Sequence, residues 1–360
     1  MNTKIIRWIA CGVVVSELST MAFGQETLPS LSVPAKRIPV PSSVSPELQK
    51  RLAIPVPPLR PTPTTREGWK KWQAEADAPW EKVARATAKL LGAKVEPTNV
   101  AGVKCYLVTP KVVTSDQDLI IHVHRGAYVF NGGMAAAGEA ILLADACKMR
   151  VLSVDYRMPP DHPFPAATDD VLAVWKAVLK EHDPAKVVMG GTSAGGGLIM
   201  TTMLRCKAEK LPMPAALFLG TPFADLSKTG DSLYVNAEID QVVGRYEGRI
   251  EACLKLYAAG HDLKDPLLSP VYGDFSGWPP TILITGTRDL LLSATIRTHR
   301  KLRAAGVEAE LNVFEGMPHA DYVAAFPAPE SRDALAEIAA FYHRHLKHEG
   351  GIPKYISRTH

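Results

Sequence analysis

The sequence predicts an α/β fold: a mostly parallel central sheet flanked by helices, with a helical lid. Short apolar, β-branched runs alternate with helical stretches over most of the chain. The runs are too continuously apolar for a sheet with one wet face, so helices must cover both. Over 360 residues, 46% are hydrophobic and 22% charged, enough for one large core with an extra lobe.

Residues 1–24 read as an export signal. Lys4 and Arg7 give a basic start, Trp8 to Val15 is apolar, and Ala22-Phe23-Gly24 offers a cleavage point before Gln25. Glu17 interrupts the pattern. A periplasmic or secreted protein is expected. No other stretch reaches the roughly 18 apolar residues that span a bilayer. Residues 25–64 are rich in proline and serine and read as an extended arm. Residues 65–92 read as cap helices, with Trp69, Trp72, Trp80, Val83, Ala86 and Leu90 on the apolar side. Those tryptophans serve either packing or a lid over a pocket.

Strands are expected at 104–110, 119–124, 151–156, 186–191, 215–220, 281–286 and 309–316. Helices are expected at 134–149, 166–182, 194–210, 293–306 and 332–349. Residues 93–224 and 266–350 then form the core. Residues 225–265 break the alternation and read as a cap insertion. The net charge of +4 gives no reason to expect nucleic acid or a membrane surface as partner. Of five cysteines, Cys11 falls in the export segment. Cys105, Cys147, Cys206 and Cys253 lack zinc-site spacing and read as buried apolar residues, although an exported protein could pair them.

The chemistry centres on Gly191-Thr192-Ser193-Ala194-Gly195, which fits G-x-S-x-G between a strand and a helix. A tight turn there lifts the serine hydroxyl above the strand ends. The following helix aims free N–H groups at the same point. A serine needs a base, and the base needs an orienting acid. Asp289 lies just beyond one strand end and His319 just beyond the next, in the order serine, acid, histidine. The stretch His122-Val123-His124-Arg125-Gly126-Ala127 leaves a strand and offers backbone donors for an oxyanion. A metal reading of His122 and His124 lacks a third ligand. His343, His345 and His348 read as a solvated helix end, and Asp169-Asp170 as first-turn charge.

These stretches resemble the hormone-sensitive-lipase-like esterases of the α/β-hydrolase fold. The resemblance runs through His124 to Ala127, Asp155 to Ala167, Gly191 to Gly196, Asp265 to Pro270, and Trp278 to Gly286. Threonine at 192 is similar to one subgroup of these enzymes. The resemblance implies Ser193 as nucleophile, His319 as base, Asp289 as acid, and an oxyanion hole from the N–H groups of Gly126, Ala127 and Ala194. It implies carboxylic esters with short or medium acyl groups as substrates. It also implies a lid from the amino-terminal helices and residues 225–265, no cofactor or metal, and a possible homodimer.

The chain departs from the family at Arg125, where glycine is usual, and at Ser293, the last residue of D-L-L-L-S after the acid. Asp161 stands where glutamate is more usual and is expected, with Asp155 and Arg157, to fix loops below the site. Arg125, Tyr128 and Phe223 are candidates for the substrate pocket; Phe130 and Trp278 serve either pocket or core. Arg125 is expected first as an anchor paired with a buried carboxylate, and otherwise as a pocket cation for acidic substrates. Two further readings stay open: a ligand receptor on the same fold, and an amidase, deacetylase or peptidase using the same triad. Lactones and acetyl esters remain open as substrates.

Overall fold

The computed structural model describes residues 30–346. Residues 1–24, read as an export signal, and His348 lie outside them. Among the described residues, eight strands form one sheet in the order β1-β2-β4-β3-β5-β6-β7-β8. They are β1 Lys94–Val100, β2 Val103–Thr109, β3 Leu119–Val123, β4 Arg150–Val154, β5 Val187–Thr192, β6 Ala216–Gly220, β7 Thr281–Gly286 and β8 Ala309–Phe314. β1 and β2 pair antiparallel, as do β2 and β4; every other pairing is parallel.

β1 has no counterpart among the predicted strands. Its side chains are half-buried or exposed and it carries Pro97, which only a sheet edge tolerates. Ala101 and Gly102, both at positive φ, make the two-residue turn into β2.

The helices are α1 Pro46–Leu52, α2 Arg66–Leu91, α3 Ala137–Cys147, α4 Ala166–Val178, α5 Ala194–Ala208, α6 Ser232–Val235, α7 Glu251–Ala258, α8 Leu292–Ala304, α9 Asp321–Ala324 and α10 Pro329–His345. Strand residues alternate between two cores. Leu119, Ile121 and Val123 of β3 pack with Val171 and Trp175 of α4, Leu198 and Met203 of α5, and Leu302 of α8. Ile120 packs on the other side with Ile141 and Leu143 of α3 and Ile338 and Phe341 of α10. Each such aliphatic side chain, fully buried, contributes about 1.5–3 kcal/mol.

Two expectations change. The proline-rich arm is not uniformly extended, because Ser45 caps α1 by accepting from Leu48 N at 3.1 Å and Pro46 suits the first helical position. α1 buries Leu48 and Leu52, and Arg51 pairs with Asp321. α2 is one helix, capped by Thr65 and ended by Gly92, but its buried face is rotated from the predicted one. Val83 is 51% exposed and Leu90 71%, whereas Ala84 and Ala88 are buried. Ala84 lies against Gly138 of α3, and this close helix approach admits small residues only.

Residues 225–265 divide their work. Cys253, Leu254, Tyr257 and Ala258 of α7 are buried in the main core. Val242, Val243, Arg249 and Ile250 face a cavity above the sheet.

Candidate active site

The strand order reverses around β3, which has β4 on one side and β5 on the other. His122 is in register with Gly190, and Val123 with Gly191. The chain therefore leaves β3 and β5 side by side at the carboxyl edge, where open α/β sheets place their ligands. Ser193 stands just after β5 at φ 58° and ψ −118°, a backbone conformation that costs on the order of 1–3 kcal/mol. The flanking glycines permit it. A Cβ on Gly191 would lie 2.5 Å from the Val123 carbonyl oxygen, and one on Gly195 would run into the same atom.

β8 ends at Phe314 and the following turn brings His319 back over the sheet; β7 ends at Gly286 and leads to Asp289. The His319 Nε2 is 2.9 Å from Ser193 Oγ, and its Nδ1 is 3.0 Å from Asp289 Oδ1. All three side chains are buried. Asp289 is gripped from several sides. Oδ1 also accepts from Leu291 N at 2.8 Å, while Oδ2 accepts from the hydroxyls of Thr285, at 2.7 Å, and Thr221. Burial pushes this carboxyl up, but the His319 charge and the three side-chain hydrogen bonds outweigh it. Asp289 is held below the usual carboxylate range.

Sequence reasoning passed over the groups that hold these loops. Thr221 follows β6 and Thr285 lies within β7, both ordinary in sequence. Asn236 donates to the Asp289 carbonyl at 2.8 Å. Asp240 accepts from Val242 N, Val243 N, Leu290 N and His319 N at 2.8 to 3.3 Å. One carboxylate thus ties residues 240–243 to the loops carrying both Asp289 and His319. Burial, with Asp289 nearby, pushes Asp240 above the usual range against the pull of His319. Ser293, the departure after the acid, exchanges hydrogen bonds of 2.9 Å with Ser232.

The loop after β3 is shaped by its carbonyls. His124 Nδ1 donates to the Arg125 carbonyl at 2.7 Å, which fixes the proton on that nitrogen. Burial pushes His124 down to about 3, so the ring is neutral. Tyr156 stacks on it at 4.0 Å and donates to the His124 carbonyl at 3.2 Å. The Gly126 carbonyl accepts from Val129 N and Phe130 N, at 3.0 and 2.9 Å. The Ser193 carbonyl accepts from Gly197 N and Phe223 N, at 3.1 and 2.9 Å. In a planar trans peptide the N–H points opposite to the C=O. The N–H groups of Gly126, Ala127 and Ala194 are therefore turned away from those acceptors. Gly126 takes φ +121°, and a Cβ there would collide with the Phe130 carbonyl, so only glycine fits. His122 has separate partners beneath the loop: Ser153 Oγ at 3.2 Å and Glu139 Oε2 at 3.3 Å.

Above Ser193 lies a cavity of about 190 Å³, with Trp72, Ala76 and Trp80 of α2 on one side and Val242, Val243, Arg249 and Ile250 on the other. Arg125, Gly126, Ala127, Phe130, Asn131, Phe223 and His319 complete its wall with Ser193. Tyr128, a pocket candidate, is a core residue. Its positive φ turns the ring inward, where it stacks on Tyr257 at 4.0 Å. Trp278 likewise stacks on Phe275 in the core. Arg125 lines the cavity, but the expected buried carboxylate partner is absent among the described residues. Its guanidinium lies 4.3 Å over the Trp80 ring instead.

The supporting loops are pinned by charge. Arg157 chelates Asp170, Asp161 pairs with Arg66 and Lys70 of α2, and Asp155 accepts from Gly133 N at 3.1 Å. His343 Nε2 reaches the Cys147 carbonyl at 2.9 Å. Cys105, Cys147, Cys206 and Cys253 are buried and unpaired with one another.

A family model described as the alpha/beta hydrolase fold matches residues 120–323. A solved esterase structure is 46% identical, covers 88% of this chain and 99% of its own, and superposes with a TM-score of 0.86. An esterase of the bacterial hormone-sensitive lipase family, 29% identical, covers 84% of this chain and 99% of its own with a TM-score of 0.71. The chain belongs to this esterase family of the α/β-hydrolase fold. An esterase of Acinetobacter venetianus is also similar to this family member, 32% identical over 253 residues, which are 69% of this chain and 81% of the relative. No described helix is long and apolar enough to cross a membrane.

Proposed function

We propose that this family member hydrolyses carboxylic esters with short acyl groups through an acyl-enzyme on Ser193. The observation that carries the reading is the continuous relay of 2.9 and 3.0 Å from Ser193 through His319 to Asp289, opening into the cavity. His319 Nε2 takes the Ser193 proton as Oγ attacks the ester carbonyl. Asp289 holds the ring and offsets the imidazolium charge. The N–H groups of Gly126, Ala127 and Ala194 receive the oxyanion, and losing one such donor costs about 2.7–4 kcal/mol. His319 then protonates the leaving alcohol, and water attacking the acyl-enzyme repeats the cycle. Ester, water and chain supply every proton and electron pair. A receptor on this fold would have no use for the intact relay, which favours the enzyme reading.

The cavity of about 190 Å³ is smaller than the roughly 300–1,000 Å³ of sites for drug-sized ligands. Apolar walls at Trp72, Phe130, Phe223 and Ile250 suit a small acyl chain. Across p-nitrophenyl esters from acetate to laurate, kcat/KM is expected to peak at acetate to hexanoate. By laurate it should fall at least about tenfold, since each unaccommodated methylene costs about 1–3 kcal/mol. A profile rising toward laurate, or turnover of amides alone, would overturn the reading.

A further inference from the structure

Several arginines among the described residues have carboxylates. Arg51 pairs with Asp321, Arg157 with Asp170, Arg205 with Asp169 and Arg297 with Asp225. Arg125 does not. Among the described residues no carboxylate comes within ion-pair distance of its guanidinium and no acceptor takes its N–H groups; its interaction is the Trp80 ring face. The two carboxylates that act on it from further off are engaged elsewhere. Glu139 accepts from Thr192 and faces His122, and Asp321 is held by Arg51.

The geometry leaves the cation useful. A guanidinium held over a ring face still carries five N–H donors, which the ring does not satisfy as hydrogen-bond acceptors would. Arg125 lines the cavity of Ser193 and His319 and also a smaller neighbouring cavity that Glu139 shares, one residue before the donors of Gly126 and Ala127. The lining holds two arginines, Arg125 and Arg249, and no aspartate or glutamate. Arg249 already donates to the Val242 carbonyl at 3.0 Å. The remaining wall is largely aromatic and aliphatic, and the carboxylates that act on Arg125 from further off lie outside it. An anionic occupant gains charge-assisted, two-pronged hydrogen bonds that a neutral one cannot.

We propose that Arg125 is an anion subsite inside the catalytic cavity, and that this enzyme prefers esters carrying a carboxylate a few bonds from the scissile carbonyl. The inference rests on the assignment of Ser193 as the attacking residue. It takes the substrate class beyond acyl length to charge.

Two matched pairs of esters test it on the unaltered protein by pH-stat. Monoethyl glutarate against ethyl pentanoate places the carboxylate on the acyl side. 4-Acetoxybutanoate against pentyl acetate places it on the alcohol side. In at least one pair the charged member should have a kcat/KM about tenfold or more higher, as expected for a charged hydrogen bond. Added salt should erode that preference. Arg125→Met should lower the charged-to-neutral ratio about tenfold or more, and Arg125→Lys should retain part of it. A neutral preference in both pairs, or a loss in Arg125→Met that is proportional for both members, would overturn the subsite. If neutral esters turn over without a charge preference, only the subsite fails. If the folded protein hydrolyses none of the four esters nor p-nitrophenyl acetate, the Ser193 reading fails with it.

Discussion

Ser193→Ala is expected to lower kcat for p-nitrophenyl acetate by roughly 10⁴- to 10⁶-fold, the range seen when members of a catalytic triad are removed. Alanine keeps the Cβ and the backbone, so the turn at φ 58° survives with its strain and its flanking glycines. What disappears is the Oγ that lies 2.9 Å from His319 Nε2. The N–H donors and the cavity remain, so substrate binding should change little while the covalent step is lost. Initial rates and a thermal melt on the same preparation check this. A large kcat loss with an unfolding midpoint within a few degrees of the parent is the expected pair of results. Activity within tenfold of the parent would remove Ser193 from the mechanism.

Asp289→Asn should cost about 10⁴-fold in kcat with little change of fold, the effect of leaving the histidine in the wrong tautomer. The physical reason lies in the crowd around this carboxylate. His319 Nδ1, Leu291 N, Thr285 Oγ1 and Thr221 Oγ1 all donate to it. An amide cannot accept from all four. If its NH₂ faces His319, Nδ1 must become the acceptor and the ring proton moves to Nε2, which then cannot take the serine proton. If its oxygen faces His319, the imidazolium still loses its counter-charge, while the threonine hydroxyls rotate to accept from the NH₂. The threonines make the substitution tolerable for folding and leave the damage in the chemistry. Steady-state kinetics against the parent, with urea denaturation beside it, separates the two effects. A variant retaining more than about a tenth of parental kcat would show that Asp289 is not the orienting acid.

How far the sequence could be read depended on what kind of signal each part carried. The central strands were legible because burial on both faces requires unbroken apolar runs, as β5 and β7 show at every position. The turn at Ser193 was legible because its backbone admits so few residues at 191 and 195. Edge strand β1 was not, since a polar strand with a proline has no apolar signature. The phase of α2 was misread because its contact with α3 selects alanine over valine and leucine, against the usual ranking by hydrophobicity. Tyr128 sits among pocket residues in sequence, and only the backbone twist at 127 and 128 sends it into the core. Asp240 was invisible for a different reason. Two of its four acceptor contacts gather N–H groups from segments about 50 and 80 residues away, and no local pattern marks those.

The claim that most needs testing is covalent chemistry at Ser193. Treating the protein with diethyl p-nitrophenyl phosphate, then digesting it and weighing the peptides, addresses that directly. Activity should be lost in step with release of one equivalent of p-nitrophenolate, and the diethylphosphoryl mass should sit on the peptide bearing Ser193. Ser193→Ala should take up no label. Complete inactivation with an unmodified Ser193 peptide, or with the adduct on a different residue, would contradict the account.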